Sequence, residues 1–362
     1  MKPQKVRVSF RKNRSERTRT SNWTRQFEEH GFEEERETAA ERISGKGELS
    51  RKRTVAENIP DAETPLFSGR VLCVHGASIA VQTGDGRLFQ CVMRRVLKTL
   101  QTDERQPAVA GDRVGFRPAP NNETEGMIEH VEPRTNTIAR TSKNRKHVIA
   151  ANVDQVLIVA SADQPELKPN LIDRMILTAE QSGVLPIICI NKIDLVDPAG
   201  LQPLIGVYSQ MGYKVLTLSA ETGLGMERLR KQLLNRSSAV AGQSGVGKSS
   251  LLNAADPQMH LRTAEIGHAF KGKHTTTMAE LRQLSFGGFV IDTPGLRQFM
   301  LWDIIPEEVF GLFRDLRPYE NRCRFPDCTH SHEDDCAVKQ AVGEGRLDLR
   351  RYESYLAVRF GN

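Results

Sequence analysis

Residues 242–250 carry the clearest chemical signal in the chain, a glycine-rich turn that ends in a lysine and two serines. The phosphate-cradling pattern GxxxxGK[ST] is matched by Gly242, Gln243, Ser244, Gly245, Val246, Gly247, Lys248 and Ser249, and Ser250 follows. Glycines let successive backbone amides point inward, and the helix that opens after the turn adds partial positive charge at its N-terminus. We expect Lys248 to reach the β- and γ-phosphates of a nucleotide and the Ser249 hydroxyl to ligate Mg²⁺.

A second motif could recognise the base of the same nucleotide. It consists of Asn191, Lys192, Ile193 and Asp194 and follows an apolar run. The Asp194 carboxylate can accept hydrogen bonds from N1–H and the 2-amino group of guanine, which adenine lacks, so the site would discriminate by about 10⁴-fold. Asn191 and Lys192 would brace the loop and cover the ring, and a backbone amide near Ser219 and Ala220 would cap guanine O6. These residues favour GTP over ATP.

Two further segments are candidate switches that respond to the γ-phosphate. In Asp292-Thr293-Pro294-Gly295, the Asp292 carboxylate can hold Mg²⁺ through water and the Gly295 amide can sense the γ-phosphate. Residues 272–277 lie between this motif and the phosphate loop and end in three threonines. We select Thr277 as the threonine that closes on Mg²⁺ and the γ-phosphate. The alternative for this run is an ordinary hydroxyl-rich strand start.

The motifs leave open which residue positions the attacking water. GTPases of the Ras type carry a glutamine directly after DxxG for this purpose, whereas this chain has Leu296, whose aliphatic side chain cannot orient a nucleophile. His274, beside the threonine run, is our candidate, and Gln298 is the second choice. The predicted catalytic set is therefore His274, Lys248 and Thr277. A structural role for His274 is the alternative.

The C-terminal region contains a cluster of zinc-type ligands. Cys323, Cys328, His330 and Cys336 suit a tetrahedral Zn²⁺ site, with His332 as an alternative to His330. Four protein ligands would leave no open position, so the ion would be structural; a chance cluster of thiols is the other reading. The basic residues that follow could contact RNA phosphates or form an ordinary solvated helix face; they are Lys339, Arg346, Arg350, Arg351 and Arg359.

Composition places the chain among soluble globular proteins of two or three domains. It has 362 residues, 38% hydrophobic and 27% charged, with a net charge of +6. Lysine and arginine dominate residues 1–25 and glutamate dominates residues 28–41, so we interpret residues 1–60 as a largely disordered charged tail. No apolar run is long enough for a membrane span, and no export signal is evident. We expect a cytoplasmic protein, with monomer as the default.

The order of sequence patterns predicts a multidomain architecture. Five short β-rich runs over residues 64–135 predict an N-terminal barrel of the oligonucleotide-binding (OB) type. Buried strands alternate with helices over residues 140–298, which predicts an α/β P-loop GTPase domain with a parallel sheet. Its base-reading motif precedes the phosphate loop, so the domain would be circularly permuted. A small zinc-binding helical domain would occupy residues 299–362.

Together these features resemble the RsgA (YjeQ/EngC) family of circularly permuted bacterial GTPases. The resemblance covers about residues 65–360 and depends on seven features, namely ANVDQ at 151–155, NKID at 191–194, GQSGVGKSS at 242–250, HTTT at 274–277, DTPG at 292–295, the Cys/His spacing and RYESY at 351–355. It implies binding to the 30S ribosomal subunit and its 16S rRNA, and ribosome-stimulated GTP hydrolysis during late small-subunit maturation. The family's catalytic histidine corresponds to His274.

Two functional hypotheses follow. In the first, the protein is an enzyme that binds 30S particles with GTP, hydrolyses it and leaves. In the second, it is an RNA-binding assembly scaffold that senses GTP with little turnover, a reading that Leu296 keeps open. A P-loop ATPase is a third reading, which Asp194 disfavours.

Overall fold

The computed structural model describes residues 66–94, 108–119, 122–142, 145–261, 279–292 and 306–361, together with short strands at 4–9, 43–44 and 52–57. His274, Thr277 and Gly295, and with them most of both predicted switches, lie outside the described residues. The chain divides into two compact units, and the N-terminal strands belong to the smaller one.

Three strands occur within the first 60 residues. They are β1 (Gln4–Ser9), β2 (Ile43–Ser44) and β3 (Lys52–Glu57), and they form an antiparallel sheet in the order β1-β3-β2. Val6 is paired with Val55 in this sheet. Outside these short strands, residues 1–60 are not among the described residues, and the interpretation of this region as a largely disordered tail stays a prediction.

The predicted barrel is confirmed as a closed five-stranded barrel. Its strands are β4 (Phe67–His75), β5 (Ser78–Thr83), β6 (Leu88–Met93), β7 (Arg113–Ala119) and β8 (Asn122–Val131), in the order β4-β5-β6-β8-β7. Alternate residues of β6 are buried and exposed, as a half-buried strand requires. Val81, Phe89 and Phe116 fill the interior, where the rings of Phe89 and Phe116 lie 4.9 Å apart.

A hairpin connects the barrel to the α/β domain. It consists of β9 (Thr137–Ser142) and β10 (Arg145–Ala151), which pair antiparallel. The Ala151 amide donates to the Ala110 carbonyl at 3.0 Å, and the Asn152 side chain donates to the Gly111 carbonyl at 3.1 Å. These bonds attach the segment before β7 to the start of the α/β domain.

The α/β domain contains a six-stranded sheet in the order β13-β12-β11-β14-β16-β15. The strands are β11 (Gln155–Ser161), β12 (Leu185–Asn191), β13 (Lys214–Thr217), β14 (Ser237–Ala241), β15 (Glu280–Gln283) and β16 (Phe289–Asp292). The helices are α1 (Pro169–Gln181), α2 (Gln202–Gln210), α3 (Met226–Leu233) and α4 (Lys248–Ala255). All neighbouring strands are parallel except the edge strand β15, which runs antiparallel to β16. Two apolar clusters cover the sheet, which explains why its central strands read as continuous hydrophobic runs.

The C-terminal region is a small helical module. Its helices are α5 (Val309–Leu312), α6 (Ala337–Gly343) and α7 (Leu349–Phe360). The Asp348 carboxylate caps α7 by accepting from the Arg350 amide at 2.9 Å. Buried aromatic residues, among them Phe313 and Tyr355, form its core together with the thiols of the Cys/His cluster. No helix in the described part of the chain is long and apolar enough to cross a bilayer.

A buried ion cluster joins this module to the α/β domain. Arg351 of α7 is 2% exposed, and its Nη1 lies 2.6 Å from Asp173 Oδ1 of α1. Its Nε and Nη2 form a bidentate pair with the Asp315 carboxylate at 2.9 and 3.0 Å. The Tyr208 hydroxyl donates to Asp173 at 2.9 Å, and the guanidinium lies 4.6 Å from the centre of the Phe313 ring. The suggestion that Arg351 contacts RNA phosphates is therefore wrong, because its charge is buried and already paired.

Removal of Arg351 tests this junction. Arg351→Met leaves two carboxylates without their cation, so we expect a loss of about 3–5 kcal/mol in the free energy of unfolding. Urea titrations followed by circular dichroism measure the change. Arg350→Ala is the matched control, because the ion pair that Arg350 forms within the described part of the chain is a partly exposed one with Asp348, and such pairs contribute about 1 kcal/mol or less. Equal losses in the two variants would contradict a special role for the buried cluster.

Candidate nucleotide and metal sites

The carboxyl ends of five parallel strands meet at one edge of the sheet. β12 ends at Asn191, β14 runs into Gly242 and β16 ends at Asp292. β11 lies between the strand of the base-reading motif and the strand of the phosphate loop. Open α/β sheets bind ligands at this edge. Motifs that are far apart in sequence therefore reach one side of the domain.

The phosphate loop turns sharply before α4. Lys248 is the first residue of α4, and Ser249 and Ser250 lie in its first turn. The Lys248 ammonium group donates to the carbonyls of Gly242 and Gln243 at 2.8 and 2.7 Å, so it lies against the loop that precedes it. The exposed tip of the loop is formed by Ser244 and Gly245, and the Val246 side chain is buried. This arrangement places the amides of the helix start and the lysine charge together.

Gly247 explains why the loop needs a glycine at the start of the helix. Its φ is +90°, a conformation that L side chains rarely adopt. A Cβ atom at this position would also lie 2.4 Å from the Nδ2 atom of Asn191. The base-reading motif thus packs directly against the phosphate loop.

Asn191 bonds to both neighbouring motifs. It is 1% exposed, its Nδ2 donates to the Val246 carbonyl at 2.8 Å, and its Oδ1 accepts from the Ala220 amide at 3.2 Å. The sequence predicted a bracing role for Asn191, and the structure gives the partners. The side-chain amide of Asn191 thus connects the base-reading loop that contains it, the phosphate loop, and the loop at Ser219 and Ala220, which we call the base-capping loop.

The other members of the base-reading motifs lie around this amide. Ile193 is buried and its amide donates to the Leu218 carbonyl at 3.2 Å, whereas the Asp194 side chain is exposed at the edge of the sheet. Ser219 is fully buried and its hydroxyl accepts from the Thr222 amide at 3.1 Å. Buried neighbours therefore fix the loop that carries the exposed Asp194 carboxylate.

Sequence reasoning missed the segment 161–168 between β11 and α1. The Lys192 ammonium donates to the Gln164 carbonyl in this segment. Glu166 and Lys168 line a cavity together with Gln243 and Val246 of the phosphate loop. The segment carries no motif, so only the position of β11 in the middle of the sheet could have indicated it.

The four predicted metal ligands converge in the C-terminal module. Their donor atoms all lie within 4.8 Å of one another. The Sγ atoms of Cys323 and Cys336 are 3.8 Å apart, and each lies 3.4 Å from His330 Nδ1. Sulfur ligands of a tetrahedral zinc site, at about 2.3 Å from the ion, would be about 3.8 Å apart. The residues present therefore fit a zinc ion, and His332, whose side chain is 82% exposed, is not part of the cluster.

Known proteins share this sequence and this architecture. A family model described as RsgA GTPase matches residues 131–302. The Small ribosomal subunit biogenesis GTPase RsgA of Chlorobaculum parvum is 41% identical over 303 residues, which cover 81% of this chain and 97% of that protein. The crystal structure of YjeQ from Thermotoga maritima is 34% identical, with a TM-score of 0.68, and covers 82% of this chain and 98% of that one. The chain belongs to the RsgA GTPase family.

The structural likeness extends to the permuted order of motifs. The crystal structure of YloQ, a circularly permuted GTPase, is 29% identical with a TM-score of 0.64, and covers 84% of this chain and 97% of that one. In the protein described here, β14 leads into the phosphate loop and lies in the middle of the sheet, but it follows β11, β12 and β13 along the chain. The predicted multidomain fold, with its barrel, permuted domain and Cys/His module, is therefore confirmed.

Residues around the Cys/His cluster hold the loop that carries His330. The Glu333 carboxylate accepts from the amides of Thr329 and Ser331 at 2.6 and 2.9 Å. Burial acts to raise the pKa of Glu333, but the hydrogen bonds from Thr329 and Ser331 outweigh it and hold the pKa at about 2. The Tyr352 hydroxyl donates to the His330 carbonyl at 2.8 Å. These contacts fix the loop from both sides.

The bonds of Asn191 predict a loss of nucleotide affinity in Asn191→Ala. The substitution leaves the Val246 carbonyl and the Ala220 amide without this partner, so we expect GDP affinity to fall about 10- to 100-fold. Titration calorimetry with GDP measures it. Asn136→Ala is the matched control, because Asn136 makes the same pair of main-chain bonds, to Val153 before β11, at the opposite end of the sheet. Similar losses in both variants would contradict a local role.

Glu333→Ala tests the loop of the metal site. The partners of metal ligands typically change metal affinity about 10- to 100-fold when they are removed, and we expect a loss in this range for Zn²⁺. Competition with a chromophoric chelator measures the affinity. Asp334→Ala, at the exposed neighbouring position, should leave it unchanged. Equal affinities in the two variants would show that Glu333 does not support the site.

Proposed function

We propose that this protein is a GTPase that acts in the late maturation of the small ribosomal subunit. In this role it binds 30S particles and their 16S rRNA in the GTP state, hydrolyses GTP to GDP and phosphate, and leaves. The single observation that supports it most is the bonding of Asn191 to the phosphate loop and the base-capping loop. The printed name of the relatives, Small ribosomal subunit biogenesis GTPase RsgA, supports the ribosomal part. We further propose a cytoplasmic monomer.

Guanine recognition is assigned to the loop that Asn191 anchors. The exposed Asp194 carboxylate would accept from N1–H and the 2-amino group, and the Lys192 side chain would cover the ring. The buried Ile193 and Ser219 keep both loops in place. A base without these two donors would leave the carboxylate unpaired, which disfavours adenine.

Phosphate binding is assigned to residues 242–250. The start of α4 provides amides and a positive end, and Lys248 provides the charge next to them. Ser249, Thr277 and, through water, Asp292 would hold Mg²⁺, which neutralises charge on the phosphates. Because the Lys248 ammonium is held by two loop carbonyls, it is already oriented towards the loop when nucleotide arrives.

Hydrolysis requires a residue that orients water, and we assign it to His274. Leu296 occupies the position of the glutamine in Ras-type GTPases and cannot form the required hydrogen bond. Without this glutamine we expect intrinsic GTP hydrolysis to be slow, and for this reason we propose that the ribosome stimulates it. Residue Gln298 is the second candidate.

RNA contact is assigned to the barrel and the C-terminal module, with zinc in a structural role. Arg113 on the barrel and Arg324 and Arg359 in the module carry positive charge. Arg324 pairs with Asp335 in an exposed contact that water and salt weaken. Positive side chains of this kind can neutralise phosphates without reading sequence.

His274→Ala tests the proposed chemistry. We expect turnover of GTP in the presence of 30S subunits to fall about 100-fold or more, because a positioned polar group typically contributes that much. GDP affinity should be unchanged, and calorimetry on the same variant controls for it. Gln298→Ala is the comparison variant and should retain turnover.

The same assay separates the enzyme from the scaffold. A GTPase of this kind shows multiple turnovers that 30S subunits accelerate, whereas a scaffold that senses GTP shows no acceleration. Unchanged turnover of His274→Ala at full GTP occupancy would remove the assignment of that residue. Lack of acceleration of the wild-type protein would favour the scaffold.

A further inference from the structure

The hairpin β15–β16 connects the two predicted switch segments along the chain. β15 begins at Glu280, shortly after the threonine run that ends in Thr277, and β16 ends at Asp292, the first residue of Asp-Thr-Pro-Gly. Glu280 and Asp292 are paired across the hairpin at the nucleotide edge of the sheet. Because the backbone is continuous, a displacement of the hairpin along its axis would move the start of one switch and the end of the other together.

The hairpin is closed by a tight turn. The Leu284 amide donates to the Gly288 carbonyl at 3.0 Å, and the Gly287 amide donates back to the Leu284 carbonyl at 3.0 Å. Gly288 has a φ of +95°, and a Cβ atom there would lie 2.5 Å from the Leu233 carbonyl oxygen. The two strands can therefore be expected to move as one body.

The turn is also bonded to the helix that follows the phosphate loop. Asp256 at the end of α4 accepts from the Ser285 amide at 2.7 Å and from the Ser285 hydroxyl at 2.9 Å. Asp256 is 1% exposed, so these bonds lie in the protein interior. These bonds attach the turn of the hairpin to α4, in addition to the parallel pairing of β16 with β14 in the sheet.

A second set of contacts comes from the barrel. Gln82 of β5 donates to Gln283 of β15 at 2.8 Å between their side chains. The guanidinium of Arg70 on β4 lies 5.0 Å from the centre of the Phe289 ring on β16, a distance that suits a cation–π contact. The Arg70 Nη2 also donates to the Asn152 carbonyl at 3.0 Å. Each strand of the hairpin therefore has its own contact with the barrel.

Barrel strand β4 follows the hairpin towards the nucleotide edge. Leu72 packs against the apolar cluster that contains Leu281 and Ile291. Burial raises the pKa of the Cys73 thiol, and the negative charge of Glu280 raises it further, so β4 also lies close to the switch end of β15. At about 3.3 Å per residue, the Gln82 contact is about 10 Å from that end.

We propose that Arg70 and Gln82 are positioning residues that couple the barrel to both switch segments through the β15–β16 hairpin. RNA that engages the barrel would bias the position of the hairpin, and so the placement of the residues that close on the γ-phosphate. Nucleotide state would act on the barrel in the opposite direction, because coupling between two sites is reciprocal. This inference deepens and depends on the proposed function, since it assigns a route to the stimulation of hydrolysis by 30S subunits.

The barrel has separate contacts that would hold it in place without this coupling. The bonds from Ala151 and Asn152 to Ala110 and Gly111 attach the barrel to the connecting hairpin and do not involve β15 or β16. Loss of the Gln82 bond therefore should not detach the barrel. We therefore expect the variants below to change the coupling and to leave the fold intact.

A double-mutant cycle on Gln82 and Gln283 tests the proposal. The variants are Gln82→Ala, Gln283→Ala and the double variant, measured for intrinsic and 30S-stimulated GTP turnover. We expect intrinsic turnover to stay within about twofold of wild type, and the stimulated rate to fall about three- to tenfold in each single variant, the range of one net hydrogen bond. The double variant should resemble the single variants, because both remove the same contact.

Gln90→Ala is the matched control. Gln90 is an exposed barrel glutamine on β6 whose side chain bonds to Ser78 and not to the hairpin. It should leave the stimulated rate unchanged. This control separates coupling from a direct contact between barrel glutamines and RNA.

Arg70 provides an independent arm. Arg70→Met removes the charge over Phe289, and we expect about a tenfold loss of stimulation, because a partly desolvated cation–π contact and a hydrogen bond are lost together. Arg70→Lys keeps a cation and should restore part of it. A role in stability alone would not produce this rescue in the stimulated rate while the intrinsic rate stays constant. The affinity for 30S subunits in the GTP-analogue state, divided by that in the GDP state, should also become smaller, and more so in Arg70→Met than in Arg70→Lys.

The outcomes distinguish this inference from the function on which it depends. The coupling would be overturned if the losses in the cycle were additive, or if no hairpin or barrel variant changed the stimulated rate. Stimulation of the wild-type protein by 30S subunits would still uphold the proposed function in either case. A wild-type protein whose turnover 30S subunits do not accelerate would overturn the proposed function, and the coupling with it.

Discussion

The hydrogen bonds of one buried amide determine how the candidate nucleotide site is assembled. Asn191 donates to the phosphate loop and accepts from the base-capping loop, and Gly247 leaves it the space to do so. Each loop alone is a flexible connection at the end of a strand. Because both loops are bonded to one buried side chain, the loop proposed to bind phosphate and the loop proposed to bind guanine keep a fixed separation.

The circular permutation leaves this arrangement intact because parallel pairing constrains the order of strands in space and not along the chain. β14 lies between β11 and β16, and the carboxyl ends of these parallel strands lie at the same edge of the sheet. What the permutation changes is the neighbourhood of the switches. Along the chain, Asp292 is followed by the C-terminal region, and the hairpin before it contacts the barrel through Gln82 and Gln283.

The sequence predicts the parts of this protein whose chemistry is local. The glycines and lysine of the phosphate loop, the ligand spacing of the Cys/His cluster and the continuous apolar strands each follow from residues that are close along the chain. The contacts of Arg351, Arg70 and Gln82 did not follow, because their partners are distant in sequence and nothing in the residue types identifies them. The segment 161–168 shares this limitation.

The ion cluster around Arg351 has a consequence for the order in which the chain is completed at the ribosome. Asp173 is translated well before Arg351. Until α7 has been synthesised and can pack, the carboxylate of Asp173 lacks its cation, and burial of such an unpaired charge is unfavourable. The final packing of α1 at this junction therefore requires α7, and a chain cut short before residue 351 would leave Asp173 without its partner.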